Sequence, residues 1–190
     1  MGKRADHVDR TRRRITEAAV RLHTSVGPSA TTMAAVAEEA GVTRLTLYRH
    51  FPTKDELFGA CMSHWRALHP PPDPDAWRRL GTIEARLERA VTELYRWFSA
   101  NHDDLYPIYR DIAFTPEATL RVRQANTDVI VDAVIGDATG SAASERRLRA
   151  ALGHVVSFWT WQSLVVDQGL SVRDATSMAI GFVAVATRLS

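Results

Sequence analysis

The sequence predicts an all-α fold of about nine helices, and three features predict it. Apolar residues recur every three or four positions along almost the whole chain, the spacing that lines one face of a helix. No alternating apolar and polar stretch competes as a strand. The breaks between periodic stretches carry glycine, proline, or a Thr or Ser followed three residues later by an acid, the signals that stop and start helices.

The first helix shows Ile15, Ala18, Ala19, Leu22 and Val26 on one face, and Gly27 and Pro28 break it. Met33, Val36, Ala37 and Ala40 repeat the spacing in a second helix, with Thr31 or Thr32 as its N-cap and Gly41 placed to end it. A third runs from about Thr43 to Phe51, where Pro52 stops it. Thr53 and Glu56 form a capping box that opens a fourth helix over residues 54–68. "HPPPDPD", residues 69–75, is too rich in proline to be helical and reads as a boundary. Five further helical segments follow, at about 77–100, 103–110, 117–136, 145–168 and 172–189. Gly136, Gly140 and Ser141 separate the third from the fourth of these. Gly169, then Ser171 with Asp174, punctuate the last junction.

Composition narrows the function classes. The 190 residues are 45% apolar, enough for a packed core. Cys61 is the one cysteine, so neither a disulfide framework nor a CxxC metal or redox pair is expected. "MGKRADHVDRTRRR" has no apolar stretch behind it, so no secretory signal is expected. The longest apolar run near the end, "AIGFVAVA", is far short of the roughly 18 residues of a membrane span. A cytoplasmic protein with no membrane partner is the expectation. Charge is uneven: residues 1–60 hold ten Lys and Arg against seven Asp and Glu, and the remainder holds fourteen against fifteen. Lys3, Arg4 and the "RTRRR" run at residues 10–14 concentrate the basic end, which suits a polyanion or, as readily, a solvated helix face.

The third helix is short and crowded with hydrogen-bonding groups. Helices two and three, joined by "AGVT", have the spacing of a helix-turn-helix. Val42, Leu47 and Phe51 can pack inward, Leu47 and Phe51 as an i, i+4 pair. Arg44 suits a bidentate bond to guanine, and Thr46 a base edge or a thymine methyl. Tyr48, His50 and Lys54 suit phosphate oxygens, which position a helix without reading sequence.

"TTMAAVAEEAGVTRLTLYRHFPTKDELF", residues 31–58, resembles the DNA-binding signature of TetR-type transcriptional repressors, the family named for the tetracycline repressor. The match is dense over residues 11–60 and includes "LYRHF" followed three residues later by Lys54. The resemblance implies base contacts at Arg44, Leu45, Thr46 and Arg49, and phosphate contacts at Thr32, Thr43, Tyr48, His50 and Lys54. Leu45 departs from the pattern, which has a small, polar or proline residue there; a leucine can meet a thymine methyl or cover a neighbouring helix. The stretch "KRADHVDRTRRR" can add an arm to the minor groove or remain solvated. The implied organisation is a DNA-binding domain at residues 1–53 and a helical effector-binding and dimerisation domain at 54–190, with 54–68 as connector.

A single reading module offers a small interface, so a homodimer on a palindromic operator is expected, with half-sites about 34 Å apart. The final helix is apolar almost all round: Val172, Ala175, Ala179 and Phe182 on one side, Met178, Ile180, Val185 and Leu189 on others. Such a helix needs cover on more than one side, which places the dimer at 145–168 and 172–189. Gly153, Gly181 and Ala184 permit close approach there or plain core packing.

Aromatic residues gather in the second half, beside Asn126 and His154 on otherwise apolar stripes. A buried polar group requires a partner, and an apolar cavity with few polar groups suits a small molecule. An unidentified, largely apolar effector is expected at Trp97, Tyr106, Tyr109, Asn126, His154, Phe158 and Trp161, although aromatics at helical spacing are commonly core.

An enzyme is not expected: there is no Glu-x-x-His pair, no HExxH, no GxSxG and no Gly-rich phosphate loop, and so no cofactor or metal site. "NHDD" at residues 101–104 is explained by an N-cap with acids in the first turn as well as by a cation. A nucleoid-type DNA-binding protein accounts for the basic end and leaves the apolar half unexplained. A repressor is the leading expectation and an activator the alternative.

Overall fold

The computed structural model describes residues 2–136 and 141–188, with the backbone alone for 2–4 and 188. The expectations for Gly140, Leu189 and the Lys3 and Arg4 side chains fall outside the described residues. Among those residues the chain is all-helical, with eleven α-helices and no strand. None of the helices is long and apolar enough to cross a membrane. The chain forms two compact units, Met1–Pro70 with Asn101–Arg121, and Pro71–Ala100 with Val122–Ser190.

The first unit begins with α1 (Gly2–Ser25), α2 (Met33–Glu39), α3 (Arg44–His50) and α4 (Lys54–Leu68). Ile15, Ala18 and Ala19 of α1 meet Val36 and Ala37 of α2, Leu47 of α3 and Leu57 and Cys61 of α4 in one buried cluster closed by Phe51. Val26, expected on that apolar face, is instead 47% exposed, because α1 ends at Ser25. The unit also holds α7 (His102–Arg110) and a 3-10 turn, Ile112–Phe114. Trp65 of α4 donates its indole N–H to Asp104 of α7 at 2.7 Å, so this acid of "NHDD" has a structural partner. At the other end of α7, buried Asp111 accepts from Ser29 N–H (3.0 Å) and Ser29 Oγ (2.5 Å) in the α1–α2 loop, while Arg110 donates to Val26 O at 3.0 Å. The loop can approach because residue 27 is glycine at φ +92°. A Cβ there would lie 2.3 Å from Asp111 Oδ2. Thus α4, the connector in the sequence division, packs in the unit that holds α2 and α3.

The second unit contains α5 (Pro74–Arg78), α6 (Ile83–Ala100), most of α8 (Glu117–Ile135), α9 (Ala142–Val155), α10 (Phe158–Trp161), a π-helical turn (Gln162–Asp167) and α11 (Val172–Arg188). Two helices exceed the expected count. The proline-rich boundary is partly helical because Pro74 occupies the first helical position, where its missing N–H costs nothing, and Asp73 caps it by accepting from Asp75 N–H. The segment at 145–168 breaks at Ser157, whose hydroxyl accepts from Thr160 N–H and opens α10. The core joins Leu87, Val91, Leu94 and Phe98 of α6 to Leu152 and Val155 of α9 and to Ala175, Ala179 and Val183 of α11. Tyr95 donates to Val155 O at 2.8 Å, and burial raises its phenol pKa. Arg86 donates to Val134 O and Ile135 O at 2.8 and 3.0 Å, capping the carboxyl end of α8.

Candidate nucleic-acid interface

Helix α2 starts at Thr32, whose hydroxyl accepts from Ala35 N–H at 3.1 Å. It ends in a turn that requires Gly41: φ is +61°, Gly41 N–H donates to Glu38 O and Val42 N–H to Ala37 O. That reversal leads directly into Thr43, the cap of α3, which accepts from Thr46 N–H at 3.1 Å. Leu47 and Phe51 are fully buried, as their spacing predicts, and together they fix which way α3 faces.

With that face inward, Arg44, Leu45, Tyr48 and Arg49 form one outward strip. Leu45 is 72% exposed and Tyr48 47%, so Leu45 covers no neighbouring helix among the described residues. Arg44, Arg49 and Lys54 are exposed and enter no side-chain hydrogen bond or ion pair among the described residues. Thr46 and His50 are half-buried at the edges of the strip. The Thr43 and Thr46 hydroxyls lie 2.9 Å apart, so Thr43 holds the helix start as well as facing outward. Burial, then the charges of Arg12, Arg49 and His7, lowers the pKa of His50, which favours its neutral ring. Lys54 opens α4 behind the cap Thr53, which accepts from Glu56 N–H at 3.2 Å. Thr32 and Lys54, on different helices, flank one cleft of about 350 Å³. The nine DNA-contact candidates thus lie on α3 or at the starts of α2, α3 and α4. This is a short, polar, cationic surface with a rigid apolar back.

Residues 15–61 match the family model of bacterial regulatory proteins, tetR family. The N-terminal segment is that of a tetR-family regulator. The fold likeness extends along the chain. A tetR-family transcriptional regulator from Streptomyces coelicolor superposes with a TM-score of 0.68 at 16% identity, over 96% of this chain and 84% of that one. NalD, the secondary repressor of the MexAB-OprM multidrug efflux pump in Pseudomonas aeruginosa, gives 0.62 at 14%, over 95% and 97%. A TetR transcriptional regulator from Rhodococcus sp. RHA1 gives 0.56 at 23%, over 93% and 97%. No curated protein matches the sequence.

A tetR-family DNA-binding segment makes the protein a DNA-binding regulator of transcription. Sequence reasoning missed several groups that shape this segment. The Asp111–Ser29 clamp joins residues 82 apart and has no local signature. His23 is buried against the Phe58 ring (4.9 Å) and Cys61 Sγ (3.3 Å), and burial lowers its pKa to about 4. The Cys61 thiol is pushed up to about 12 by the same burial. The arginine run of α1 is part of a continuous helix, so no extended arm exists from Gly2 onward.

The aromatic candidates divide. Tyr106 and Tyr109 belong to the unit that holds α3; Trp97, Asn126, His154, Phe158 and Trp161 belong to the other. Phe158 and Trp161 are buried with Phe98 in an aromatic cluster, at ring separations of 5.2–5.7 Å. Trp97 is half-buried beside Phe98, and Asn126 is half-buried on α8. His154 is exposed, its ring 5.3 Å from Phe182 of α11, and so faces away from the buried aromatics expected around it. Met178 (55% exposed), Phe182 (48%) and Val185 (59%) continue that outward apolar face of α11. A Cβ added at Gly153 or Gly181 would meet nothing within 4 Å.

Proposed function

We propose that the protein is a homodimeric repressor that reads a palindromic operator and is released from it by a small, largely apolar effector. The observation that carries the reading is the outward strip of α3, whose arginines have no partner within the chain among the described residues while its back is buried. Arg44, Leu45, Thr46 and Arg49 read base edges, Leu45 against a thymine methyl; Thr32, Thr43, Tyr48, His50 and Lys54 hold phosphates. The exposed apolar face of α11, with exposed Trp159 and Val166 ahead of it, supports the dimer, since a protein seldom leaves such a face bare. NalD is named as a repressor, which favours repression over the alternative of activation.

Residues 1–53 act as the reader and 54–190 as the effector-binding and dimerising part, with α4 as the joint. The effector meets Tyr106 and Tyr109 of α7 in the first unit, or Trp97, Asn126, Phe158 and Trp161 in the second. Through α7, the Trp65–Asp104 bond and the Asp111–Ser29 clamp, a shift would reach α4 and the loop ahead of α2. A ligand moves this balance only by its differential affinity for the two states.

The test is a gel shift with promoter DNA adjoining the protein's own gene, at two salt concentrations. Retention that survives the higher salt supports the operator reading. Uniform loss on every duplex supports a nucleoid-type protein instead. Calorimetry and thermal shift across apolar and aromatic compounds test the effector, and no binder among them would remove that part.

A further inference from the structure

The run "RTRRR" is where composition would place phosphate neutralisation, yet each arginine in it already has a partner within the chain. Arg10 donates to Asp6 O at 3.3 Å one turn back, and Arg13 pairs with Glu17 at 2.8 Å. The other two reach across to the reading helices. Arg12 Nη1 donates to His50 O at 2.6 Å, and its guanidinium lies 4.1 Å over the Phe51 ring. Arg14 Nη2 donates to Ala40 O at 2.6 Å and to Gly41 O at 3.3 Å.

Those acceptors have one thing in common. His50 is the last residue of α3, and Ala40 and Gly41 end α2. The final carbonyls of a helix have no partner inside it and carry its partial negative charge, so a cationic donor there satisfies both needs. Seven-residue helices do not hold their shape alone in water. Helix α3 is fixed at its start by Thr43, along its back by Leu47 and Phe51, and at its end by Arg12. The turn that sets its angle to α2 is held by Arg14.

We propose that Arg12 and Arg14 are positioning residues for DNA recognition. They lock the carboxyl ends of α3 and α2, present the outward strip in one orientation, and neutralise no phosphate. This rests on the DNA-binding reading above. It separates Arg12 and Arg14, which build the reader, from Arg44, Arg49 and Lys54, which use it.

The experiment is fluorescence anisotropy of the full chain on the gene's own upstream duplex and a scrambled duplex, across a salt series well below the melting temperature. The variants are Arg12→Lys, Arg12→Gln and Arg14→Lys, with Lys54→Gln as the reference. Lysine keeps the charge but lacks the planar fork that both caps and stacks. Arg12→Lys and Arg14→Lys are expected to lose affinity for the specific duplex by about tenfold at every salt concentration. Their slope of log affinity against log salt should equal that of the wild type, and their discrimination against the scrambled duplex should shrink. Lys54→Gln should reduce the slope by about 0.9, the effect of one phosphate contact.

Near-normal affinity in Arg12→Lys with a reduced slope in Arg12→Gln would make Arg12 a phosphate contact and overturn the proposal. A lowered melting temperature with unchanged discrimination would make both residues merely structural, and would equally overturn it. If the wild type ignores every duplex, the DNA-binding reading itself is what fails.

Discussion

Helices α3 and α11 each leave a strip of side chains uncovered, and the two strips differ in kind. On α3 the uncovered residues are Arg44, Leu45, Tyr48 and Arg49; on α11 they are Met178, Phe182 and Val185. The first keeps charge and hydrogen-bonding groups in water over a rigid apolar back, as a surface for a polyanion must. The second keeps apolar area in water with open space above Gly181, as a surface for another protein does. Exposure alone therefore says little; what is exposed, and whether it already has a partner, separates a surface suited to a polyanion from one suited to the proposed dimer.

Breaking the apolar strip should have the largest effect. Phe182→Arg is expected to leave a folded monomer by sedimentation and circular dichroism. Its operator affinity should fall by at least about a hundredfold, because two linked modules gain that much or more from acting together. A dimer that survives would mean that the α11 face is not the seam.

On the other strip, Arg44→Ala should cost about 1–3 kcal/mol of operator binding and relax preference at one base pair, read by binding to a panel of single-position operator variants. Loss spread evenly over all sequences would return Arg44 to the positioning class.

Acid should distinguish the two regions. The folded pKa of His23 is lowered to about 4 from 6.5 by burial, so folding keeps the ring neutral. The unfolded chain binds the extra proton between those values; stability is whole above about pH 6.5 and declines as pH falls towards 4. Thermal melts should give about 2 kcal/mol less stability at pH 5 than at pH 8, a loss absent in His23→Met. The Arg110 guanidinium, then the Ser29 donors, hold the Asp111 carboxyl well below the usual carboxylate range, so the clamp persists through this window and fails only at lower pH. DNA binding should weaken across the window before the dimer does.

Lys54→Gln is the smallest change. It should cost roughly 1 kcal/mol equally on all duplexes and lessen the salt dependence by one phosphate's worth, measured by anisotropy in a salt series.

Much of α2 and α3 was legible because what decides them is local. A cap acts over three residues, Leu47 and Phe51 are four apart, and Gly41 ends a helix by its own backbone freedom. The breaks at Pro74 and Ser157 were equally local and were misjudged, the first because proline stops a helix but also starts one. The α1 arginines were read by composition as phosphate ligands or solvated charge. The acceptors of Arg12 and Arg14 lie 38 and 26 residues away, beyond any spacing rule. His154 illustrates the opposite failure: its stripe is apolar, but the side chain stands outside the buried face.

The one-dimensional pattern determined that the chain is helical, that it carries a helix-turn-helix, and which residues of α3 can face away from the core. Periodicity and capping depend only on near neighbours, and near neighbours are what a sequence records. Folding in three dimensions decided which charges remain free. It set Arg12 and Arg14 on distant carbonyls, left Arg44 and Arg49 without partners among the described residues, and closed Asp111 over Ser29. A long side chain takes whichever acceptor packing brings within 3 Å, and packing is a property of the whole unit.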